Sequence, residues 1–275
     1  LTLNKLNGLI DLTIHEVLVF IDGCLKTEAI ISDYNWVQWT NYKKSISASP
    51  ARNILYKKAK GAILIGLDDD AHPLSTNFIK DVEATFNTNK SIGVIAFQEV
   101  RGIFNTDEVA LQHSKNLEAY MTNDFVGCGF AIKKEVYDTT NGFPVWIDIY
   151  GEEPALALEV LDHGFTILYQ PNIKVNHRVD VKKRKQQGRN YFRFERQFKN
   201  TLRYYIVYYP NPTKKIIKTL WHNFKKYAIE DHRYFRSFMV VFFTTLFKLP
   251  SILKYRQPVK KETIINKLKL KGLNY

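Results

Sequence analysis

Short apolar runs alternate with stretches of helical character along the first 180 residues, and this alternation restricts the fold more than any other feature. Each run predicts a buried strand, and each intervening stretch begins or ends with helix signals such as Pro50 and Pro154 at starts and Gly61 and Gly164 at stops. Strands that alternate with helices indicate an α/β domain with a mostly parallel sheet covered on both faces. The predicted strands are 16–22, 62–67, 92–97 and 165–169, and the predicted helices are 50–60, 154–163 and one that starts near Ser75.

Three consecutive aspartates, Asp68, Asp69 and Asp70, follow the apolar run AILIGL directly. Neighbouring carboxylates at the end of a poorly solvated strand repel one another unless a cation lies among them. Carboxylate oxygens suit hard divalent ions such as Mg²⁺ or Mn²⁺, which often bind substrate phosphates as well. Ligands of open α/β sheets bind beyond the carboxyl ends of the strands, where these aspartates and Asp22 fall. We therefore predict a metal site here. The alternative is a solvated turn that caps the next helix.

A glutamate pair and a histidine are further candidates. Glu152 and Glu153 open the predicted helix after Tyr150. One of them could act as a general base for an attacking hydroxyl, or both could serve only the helix dipole. His177 follows the last predicted strand, and it is either a third metal ligand or a structural histidine.

Three segments in register resemble family 2 glycosyltransferases. SASPARNILYKKAKGAILIGLDDDAHP (47–73) resembles the passage that enters the family's DxD motif. FVGCGFAIKKEVYDTTNGFP (125–144) is similar to its glycine-containing acceptor loop, and YGEEPALALEVLDHGFTILYQPNIKVNH (150–177) to its acidic-pair helix, following strand and closing histidine. The order and spacing match over roughly residues 1–180. The basic rear resembles, more loosely, the tails of bacterial members that build cell-surface polysaccharides.

This resemblance implies a GT-A fold, which is Rossmann-like, and a metal site at the DxD motif. Asp68 and Asp70 would be the outer aspartates, with Asp70 on Mn²⁺ or Mg²⁺ and Asp68 near the ribose or the metal. Asp69 would be the variable middle position of this nucleotide-sugar site, and His177 would complete the metal site.

The resemblance also implies how the donor nucleotide binds. Asp22 would fall in the pocket for the nucleotide base, and Arg52 would lie near the nucleotide. The family's usual aspartate pair in that pocket is here Ile21-Asp22. The first nucleotide-binding strand of the family is expected upstream of the present sequence. The donor would be a nucleoside-diphosphate sugar, with UDP- or dTDP-sugars expected first.

On the acceptor side, the resemblance makes Glu153 the catalytic base and Glu152 its acidic neighbour, where Glu-Asp is the commoner pair. Gly127 and Gly129 would belong to the acceptor loop, and Trp146 would be an aromatic platform for the acceptor sugar. The expected reaction is inverting transfer of a sugar to a hydroxyl of a saccharide or lipid-linked acceptor. The alternatives are a nucleotidyltransferase, although no glycine-rich phosphate loop is visible, and a truncated inactive transferase that acts as a membrane-bound scaffold.

Charge divides the chain near residue 180. From Lys182 onward 24 Lys and Arg stand against 4 Asp and Glu, whereas residues 1–181 hold 16 basic and 23 acidic residues, for a total of +13. We therefore predict a catalytic domain over residues 1–180 and a basic, aromatic helical extension over 181–275. Basic faces with Phe and Trp favour attachment to an anionic membrane surface. We therefore expect a cytoplasmic protein that attaches to the inner face of the plasma membrane. A merely solvated face is the alternative, and nucleic acid is a less expected partner because no recognised module is present.

Two further observations limit the class of protein. The longest strongly apolar run, FMVVFFTTLF at residues 238–247, is half of the about 20 residues that span a bilayer. Cys24 and Cys128 lie far apart in sequence without disulfide or zinc spacing, so we expect two reduced thiols.

Overall fold

The computed structural model of the chain describes residues 1–186 and 188–273. Its strands form two sheets. The first pairs β1 with β2 in parallel, and the second has the order β3-β7-β5-β8-β4, with β6 paired to β8 as well. The strands are β1 Leu18–Asp22, β2 Gln38–Tyr42, β3 Ile63–Leu67, β4 Ala71–Pro73, β5 Ile92–Arg101, β6 Tyr120–Thr122, β7 Gly129–Lys133 and β8 Thr166–His177.

The larger sheet is mixed, so the prediction of a mostly parallel sheet is wrong. Only β5 and β8 pair in parallel there, because β7 runs antiparallel between β3 and β5, and β4 and β6 run antiparallel to β8. β4 follows β3 after the short aspartate turn, but it pairs with β8 at the opposite end of the strand order. With three residues each, β4 and β6 are too short to show a strand pattern.

Helices cover both faces of this sheet, as the sequence predicts for an α/β fold. The predicted helix 50–60 is present and begins at Ala48, two residues earlier than expected, and the helix that the glutamate pair was predicted to open begins at Glu152. The helices are α1 Thr2–Asn7, α2 Leu25–Glu28, α3 Ala48–Lys58, α4 Phe78–Thr88, α5 Asp107–Gln112, α6 Lys134–Thr139, α7 Glu152–Asp162, α8 Val181–Gln186, α9 Tyr191–Tyr208, α10 Thr213–Asn223, α11 His232–Phe247, α12 Leu249–Leu253 and α13 Lys261–Lys269, with a 3₁₀ turn at Ile31–Asp33 and a π-helix at Phe224–Ala228.

The central strand β5 separates two apolar layers. Val94 and Ala96 point into a cluster with Leu156 of α7, whereas Ile95 and Phe97 point into another with Phe86 of α4. Successive strand residues face opposite sides, so a strand buried on both faces reads as a continuous apolar run. Full burial of a valine, isoleucine or phenylalanine side chain contributes about 1.5–3 kcal/mol relative to exposure.

The C-terminal helices pack onto the α/β core. Ala155 and Leu158 of α7 share a buried cluster with Ile206 of α9 and with Ile252. After α13 the chain returns to β6, where Thr122 Oγ1 donates to the carbonyl of Lys271 over 3.0 Å. Apolar and hydrogen-bonded contacts therefore cross residue 180, and the two-domain division stays a prediction. Among the described residues, no helix combines the length and the apolar character that a membrane span requires.

Candidate active site

The turn after β3 brings the aspartates to His177. The backbone N–H of Ala71 donates to the carbonyl of Asp68 over 3.0 Å, and β4 then pairs with β8 so that Ala71 lies opposite His177. Nε2 of His177 lies 3.2 Å from Oδ1 of Asp70. Ligand atoms of Asp68, Asp70 and His177 all lie within 4.8 Å of one another. The aspartate turn and the pairing of β4 with β8 therefore bring the three predicted metal ligands together.

Glu99, which the sequence analysis missed, holds the ring of His177. Its carboxylate contacts Nδ1 of His177 and also pairs with Arg101 over 2.7 Å, and its side chain is 3% exposed. Burial raises the pKa of Glu99, but the bonds with His177 and Arg101 outweigh it and hold the pKa at about 2. A carboxylate on one ring nitrogen fixes the tautomer and turns the other nitrogen toward a metal. The sequence carries one signal for Glu99, namely that a glutamate lies within the mostly apolar strand β5.

The donor set fits a hard divalent cation. Two carboxylates and one imidazole nitrogen converge, and the imidazole is already oriented by a buried carboxylate. Oxygen donors with one histidine suit Mn²⁺ or Mg²⁺ better than a soft metal. Asp69 lies outside this cluster, because its side chain is exposed and its carbonyl accepts hydrogen bonds from Thr2 and Arg178.

Arg52 of α3 joins the aspartate turn to the glutamate pair. Its Nη2 donates to Oδ1 of Asp68 over 2.5 Å, and its Nη1 donates to Oε1 of Glu153 over 3.0 Å. Nη1 is also 3.9 Å from Glu152. Burial alone would lower the pKa of Arg52, but Glu153 and Asp68 raise it well above its ordinary value. One fixed positive charge therefore lies between the predicted metal site and the predicted base.

Glu152 and Glu153 occupy different environments although they are adjacent. Glu153 accepts a hydrogen bond from the backbone N–H of Gly127 over 3.1 Å and lines a large cavity. The side chain of Glu152 is 5% exposed, and its Oε2 has no hydrogen-bond partner in the described part of the chain. Burial, followed by repulsion from Glu153, raises the pKa of Glu152 to about 8. Glu153 is therefore the more accessible of the two side chains, and the raised pKa of Glu152 favours its protonated form.

The two glycines of the predicted acceptor loop have different surroundings. A Cβ at Gly127 would lie 2.3 Å from Nη1 of Arg52 and 2.4 Å from Oε1 of Glu153. Gly129 is buried in β7, and a Cβ there would lie 2.5 Å from Val175. Gly127 therefore leaves space for the arginine–glutamate pair, whereas Gly129 leaves space for core packing.

Asp22 and Trp146 lie in surroundings that the sequence did not predict. The Asp22 carboxylate accepts hydrogen bonds from Ser45 Oγ and from the backbone N–H groups of Ile46 and Ser47, so it organises the loop that enters α3. Trp146 is half-buried, and its ring lies 5.9 Å from that of Tyr208 on α9. Their roles in binding the nucleotide base and the acceptor stay predictions.

A cavity of about 760 Å³ opens between the start of α7 and the C-terminal helices. Glu153 and Asp124 line one side, and residues of α9, α10, the π-helix and α11 line the other. The sequence did not predict this cavity, because it forms only where the helical part of the chain packs back on the core.

Comparisons with known proteins give similarities of structure alone. No protein-family model and no curated protein matches the chain. Among solved structures, GalNAc-T7 with UDP, GalNAc and Mn²⁺ is 18% identical with a TM-score of 0.58 over 78% of this chain. The chain spans only 46% of that protein.

Two other solved structures match over more of their own length. The mannosyltransferase PcManGT from Pyrobaculum calidifontis, solved with GDP-Man and Mn²⁺, is 13% identical, with a TM-score of 0.55 over 97% of this chain and 78% of that one. Residues 1–349 of S. aureus TarS with UDP are 13% identical, with a TM-score of 0.52 over 82% of this chain and 68% of that one. These structures have the GT-A fold, and the present chain therefore adopts the GT-A fold that its sequence predicts.

Proposed function

We propose that the protein is a metal-dependent glycosyltransferase that moves a sugar from a nucleoside-diphosphate sugar to an acceptor hydroxyl with inversion, in the manner of family 2. One observation carries the proposal: Arg52 links a cluster of metal-type ligands on one side to the accessible carboxylate Glu153 on the other. Sugar transfer needs a cation near the charged leaving group of the donor and a base near the hydroxyl of the acceptor. The metal-ligand cluster and Glu153 could supply these two functions side by side. The nucleotide-bound GT-A structures described above support the donor class.

On the donor side, Asp68, Asp70 and His177 would hold Mn²⁺ or Mg²⁺, which would offset the charge of the departing nucleoside diphosphate as a Lewis acid. Arg52 keeps its positive charge beside Asp68 and adds to this compensation. Asp69 belongs to the same proposed nucleotide-sugar site, and we propose Asp22 for the pocket of the base.

On the acceptor side, an oxygen of Glu153 takes the proton of the attacking hydroxyl. The hydroxyl oxygen forms a bond to the anomeric carbon while the bond from that carbon to the diphosphate oxygen breaks, and attack from the opposite face inverts the configuration. The Gly127 N–H and Arg52 hold the Glu153 carboxylate in place for this step. Burial and repulsion from Glu153 raise the pKa of Glu152, and its protonated form keeps the pair from carrying two negative charges. Gly129 and Trp146 are proposed on the same side, as part of the acceptor loop and its aromatic platform.

Thermal unfolding with UDP, dTDP, GDP or CDP, each with and without Mn²⁺, tests the donor half. We expect one nucleotide to raise the melting temperature only with Mn²⁺, and Asp70→Asn to abolish that shift. Asp138→Asn is the matched control, since its carboxylate is exposed and, within the described part of the chain, forms its ion pair with Lys134 of α6. A nucleotide shift that persists in Asp70→Asn would contradict the metal assignment.

The product separates the proposed activity from the alternatives. A glycosyltransferase releases the nucleoside diphosphate from its sugar donor, whereas a nucleotidyltransferase releases pyrophosphate from a nucleoside triphosphate. A chain that binds nucleotide but releases neither, in wild type and in Glu153→Gln alike, would be the inactive scaffold.

We also propose that the protein acts at the inner face of the plasma membrane in bacterial cell-surface polysaccharide synthesis, with a lipid-linked saccharide as acceptor. Helix α10 has no buried residue, and its spacing aligns Lys214, Ile217, Lys218 and Trp221 on one side. Ile217 is 61% exposed, and the ammonium of Lys225 lies 4.8 Å from the ring centroid of Trp221. Basic and aromatic groups on one helix face suit the interface of an anionic bilayer.

Sedimentation of the whole chain with vesicles tests this attachment. We expect binding to phosphatidylglycerol–phosphatidylcholine vesicles at low salt and much weaker binding to phosphatidylcholine alone. The double variant Ile217→Ser/Trp221→Ser should reduce binding, whereas Ile14→Ser, at an isoleucine that is 76% exposed in the acidic half, should not. Absence of vesicle binding at low salt would contradict the attachment, and capture by duplex DNA instead would favour a nucleic-acid partner.

A further inference from the structure

We propose that Glu99, Cys128 and His177 form a second metal site, suited to Zn²⁺, and that an ion bound there prevents His177 from ligating Mn²⁺. One ligand atom of each of the three residues lies within 4.8 Å of the other two. The residues come from separate segments of the chain, so no zinc spacing is visible in the sequence. The site itself is independent of the proposed function, and only its effect on the proposed donor site rests on that function.

The donor types of this cluster point to a borderline-soft cation. Zn²⁺ takes thiolate, imidazole and carboxylate ligands in four-coordinate sites, at about 2.3 Å to sulfur and about 2.0–2.2 Å to nitrogen or oxygen. Ligand atoms of such a tetrahedral site are about 3.3–3.6 Å apart, so atoms gathered within 4.8 Å need only small side-chain rotations to reach it. Mn²⁺ and Mg²⁺ prefer oxygen ligands. The sulfur atom therefore distinguishes this cluster from the one at the aspartate turn.

His177 offers one ring nitrogen to each site. Its Nδ1 contacts the carboxylate of Glu99, and its Nε2 lies 3.2 Å from Oδ1 of Asp70. Zn²⁺ takes the place of the proton between Nδ1 and Glu99, and the two side chains separate slightly to admit it. A neutral imidazole has one lone pair, so a ring that binds Zn²⁺ through Nδ1 carries its proton on Nε2 and cannot ligate Mn²⁺. The two ions therefore exclude each other.

Cys128 is buried next to the residue that positions the proposed base. It is 3% exposed, and it lies between Gly127, whose N–H donates to Glu153, and Gly129 at the start of β7. A thiol that coordinates a metal is deprotonated outright, and its proton leaves to water. Zn²⁺ therefore ties the segment that holds Glu153 to the histidine of the Mn²⁺ site.

The charges around the cluster accommodate a divalent cation. The carboxylates of Glu99, Asp68 and Asp70 surround it. Arg101 pairs with the first and Arg52 with the second, whereas the third faces the histidine. The third carboxylate and the thiolate therefore supply two negative charges against the two positive charges of Zn²⁺.

Absorption of Co²⁺ added to the whole chain, without nucleotide, tests the site. Co²⁺ occupies the tetrahedral sites that Zn²⁺ occupies, and its bond to a thiolate gives a charge-transfer band that oxygen and nitrogen ligands do not give. We expect this band in wild type, its displacement by Zn²⁺, and its loss in Cys128→Ala and in Cys128→Ser, which keeps the size of the side chain. Cys24→Ser is the matched control, because Cys24 is the other cysteine and is exposed, and it should keep the band.

The Asp70→Asn variant separates the zinc site from the Mn²⁺ site. It should keep the Co²⁺ band, because Asp70 belongs to the other group of ligands. In wild type, saturating Mn²⁺ should raise the Co²⁺ concentration that gives half of the band by about ten-fold or more, within the usual range of coupling between two sites. In Asp70→Asn the increase should be much smaller. Relaxation of water protons by Mn²⁺ reports its binding, and melting without metal reports whether each variant is folded.

Each outcome decides one part of the proposal. No band in wild type, or a band that Cys24→Ser removes and Cys128→Ala retains, would overturn the zinc site. A Co²⁺ requirement that bound Mn²⁺ leaves unchanged in wild type would overturn the exclusion of one ion by the other. A normal band in a chain whose melting no nucleotide shifts would instead count against the proposed transferase, so the two failures are distinguishable.

Discussion

The backbone N–H of Gly127 donates a hydrogen bond to Oε1 of Glu153 over 3.1 Å, and no Cβ fits between them. A methyl group at residue 127 would lie 2.3 Å from Arg52 and 2.4 Å from Glu153, so both side chains would have to move. We predict that Gly127→Ala folds but loses about 10²–10⁴-fold in acceptor transfer, the usual contribution of a positioned base. Initial rates and melting temperature measure the two effects.

Gly272→Ala is the control for this substitution, because a Cβ at Gly272 would meet nothing within 4 Å. A Gly127→Ala variant with a normal transfer rate would mean that the position of Glu153 is not critical, and the base would then have to be sought elsewhere.

The glutamate pair gives a second test, in which adjacent residues should behave oppositely. Glu153→Gln removes the accessible carboxylate and should abolish transfer while nucleotide binding persists. Glu152→Gln replaces a protonated buried acid with a neutral amide of similar shape, so transfer should fall by less than about ten-fold. Transfer rates of both variants, with nucleotide-dependent melting as the binding measure, decide between them. The reverse pattern would make Glu152 the base.

The pH dependence of stability should also identify Glu152. Its pKa is raised to about 8 in the folded protein, chiefly by burial, so between its unfolded pKa near 4.5 and pH 8 the folded state binds more protons than the unfolded state. This group therefore lowers the free energy of unfolding as pH rises through that window, by up to about 1.4 kcal/mol per pH unit. Urea unfolding from pH 5 to pH 8 should show a shallower decline for Glu152→Gln than for wild type. Parallel curves would show that Glu152 ionises normally.

Much of the fold could be predicted from local patterns, since burial on both faces of a strand leaves a continuous apolar run. The run AILIGL corresponds to β3, and Glu152 and Glu153 do begin α7. The sheet directions could not be predicted in the same way. β4 has three residues, and β7 is antiparallel between β3 and β5, so these pairings depend on tertiary contacts rather than on a local pattern.

In the candidate site, too, local motifs could be predicted from the sequence, whereas tertiary contacts could not. Asp68, Asp70 and His177 were recognisable because their types and positions fit a motif, and the structure gathers them. Glu99 and Arg193 were missed: a glutamate inside an apolar strand does not reveal that it contacts His177, and Arg193 faces the cavity only after α9 packs beside α7. Contacts between segments distant in sequence leave little trace in the spacing of either one.

Glu99 should matter through the histidine that it holds. Glu99→Gln replaces the charged acceptor on Nδ1 of His177 with a neutral amide oxygen and so weakens the hold on the ring, and such partners of metal ligands typically contribute about 10–100-fold in metal affinity. We predict that the Mn²⁺ concentration giving half of the nucleotide-dependent melting shift rises by that factor, while the shift at saturating Mn²⁺ is retained. Glu83→Gln, at an exposed position on α4, is the control. An unchanged Mn²⁺ requirement would limit Glu99 to a structural role.

Asp148 should hold α9, and with it one wall of the cavity, against the core. Its carboxylate accepts hydrogen bonds from Lys199 over 2.8 Å and Asn200 over 3.0 Å, and it also pairs with Arg196. Burial alone would raise the pKa of Asp148, but the bonds from Lys199 and Asn200 outweigh it, so the pKa is lower in the folded protein. We predict that Asp148→Asn lowers the free energy of unfolding at pH 7 by about 1–3 kcal/mol, the usual range for hydrogen bonds to a charged group.

The sign of the pH effect follows from this lowered pKa. The stability that Asp148 contributes is complete above its unfolded pKa, near 3.8, and is lost as pH falls from there toward the folded pKa. Urea unfolding should therefore show a gap between wild type and Asp148→Asn that is constant from pH 7 to about pH 5 and narrows below pH 4. Asp138→Asn, which removes an exposed carboxylate, should change stability by less than about 1 kcal/mol at either pH. A gap that widens on acidification would show that the ion pairs of Asp148 do not secure α9.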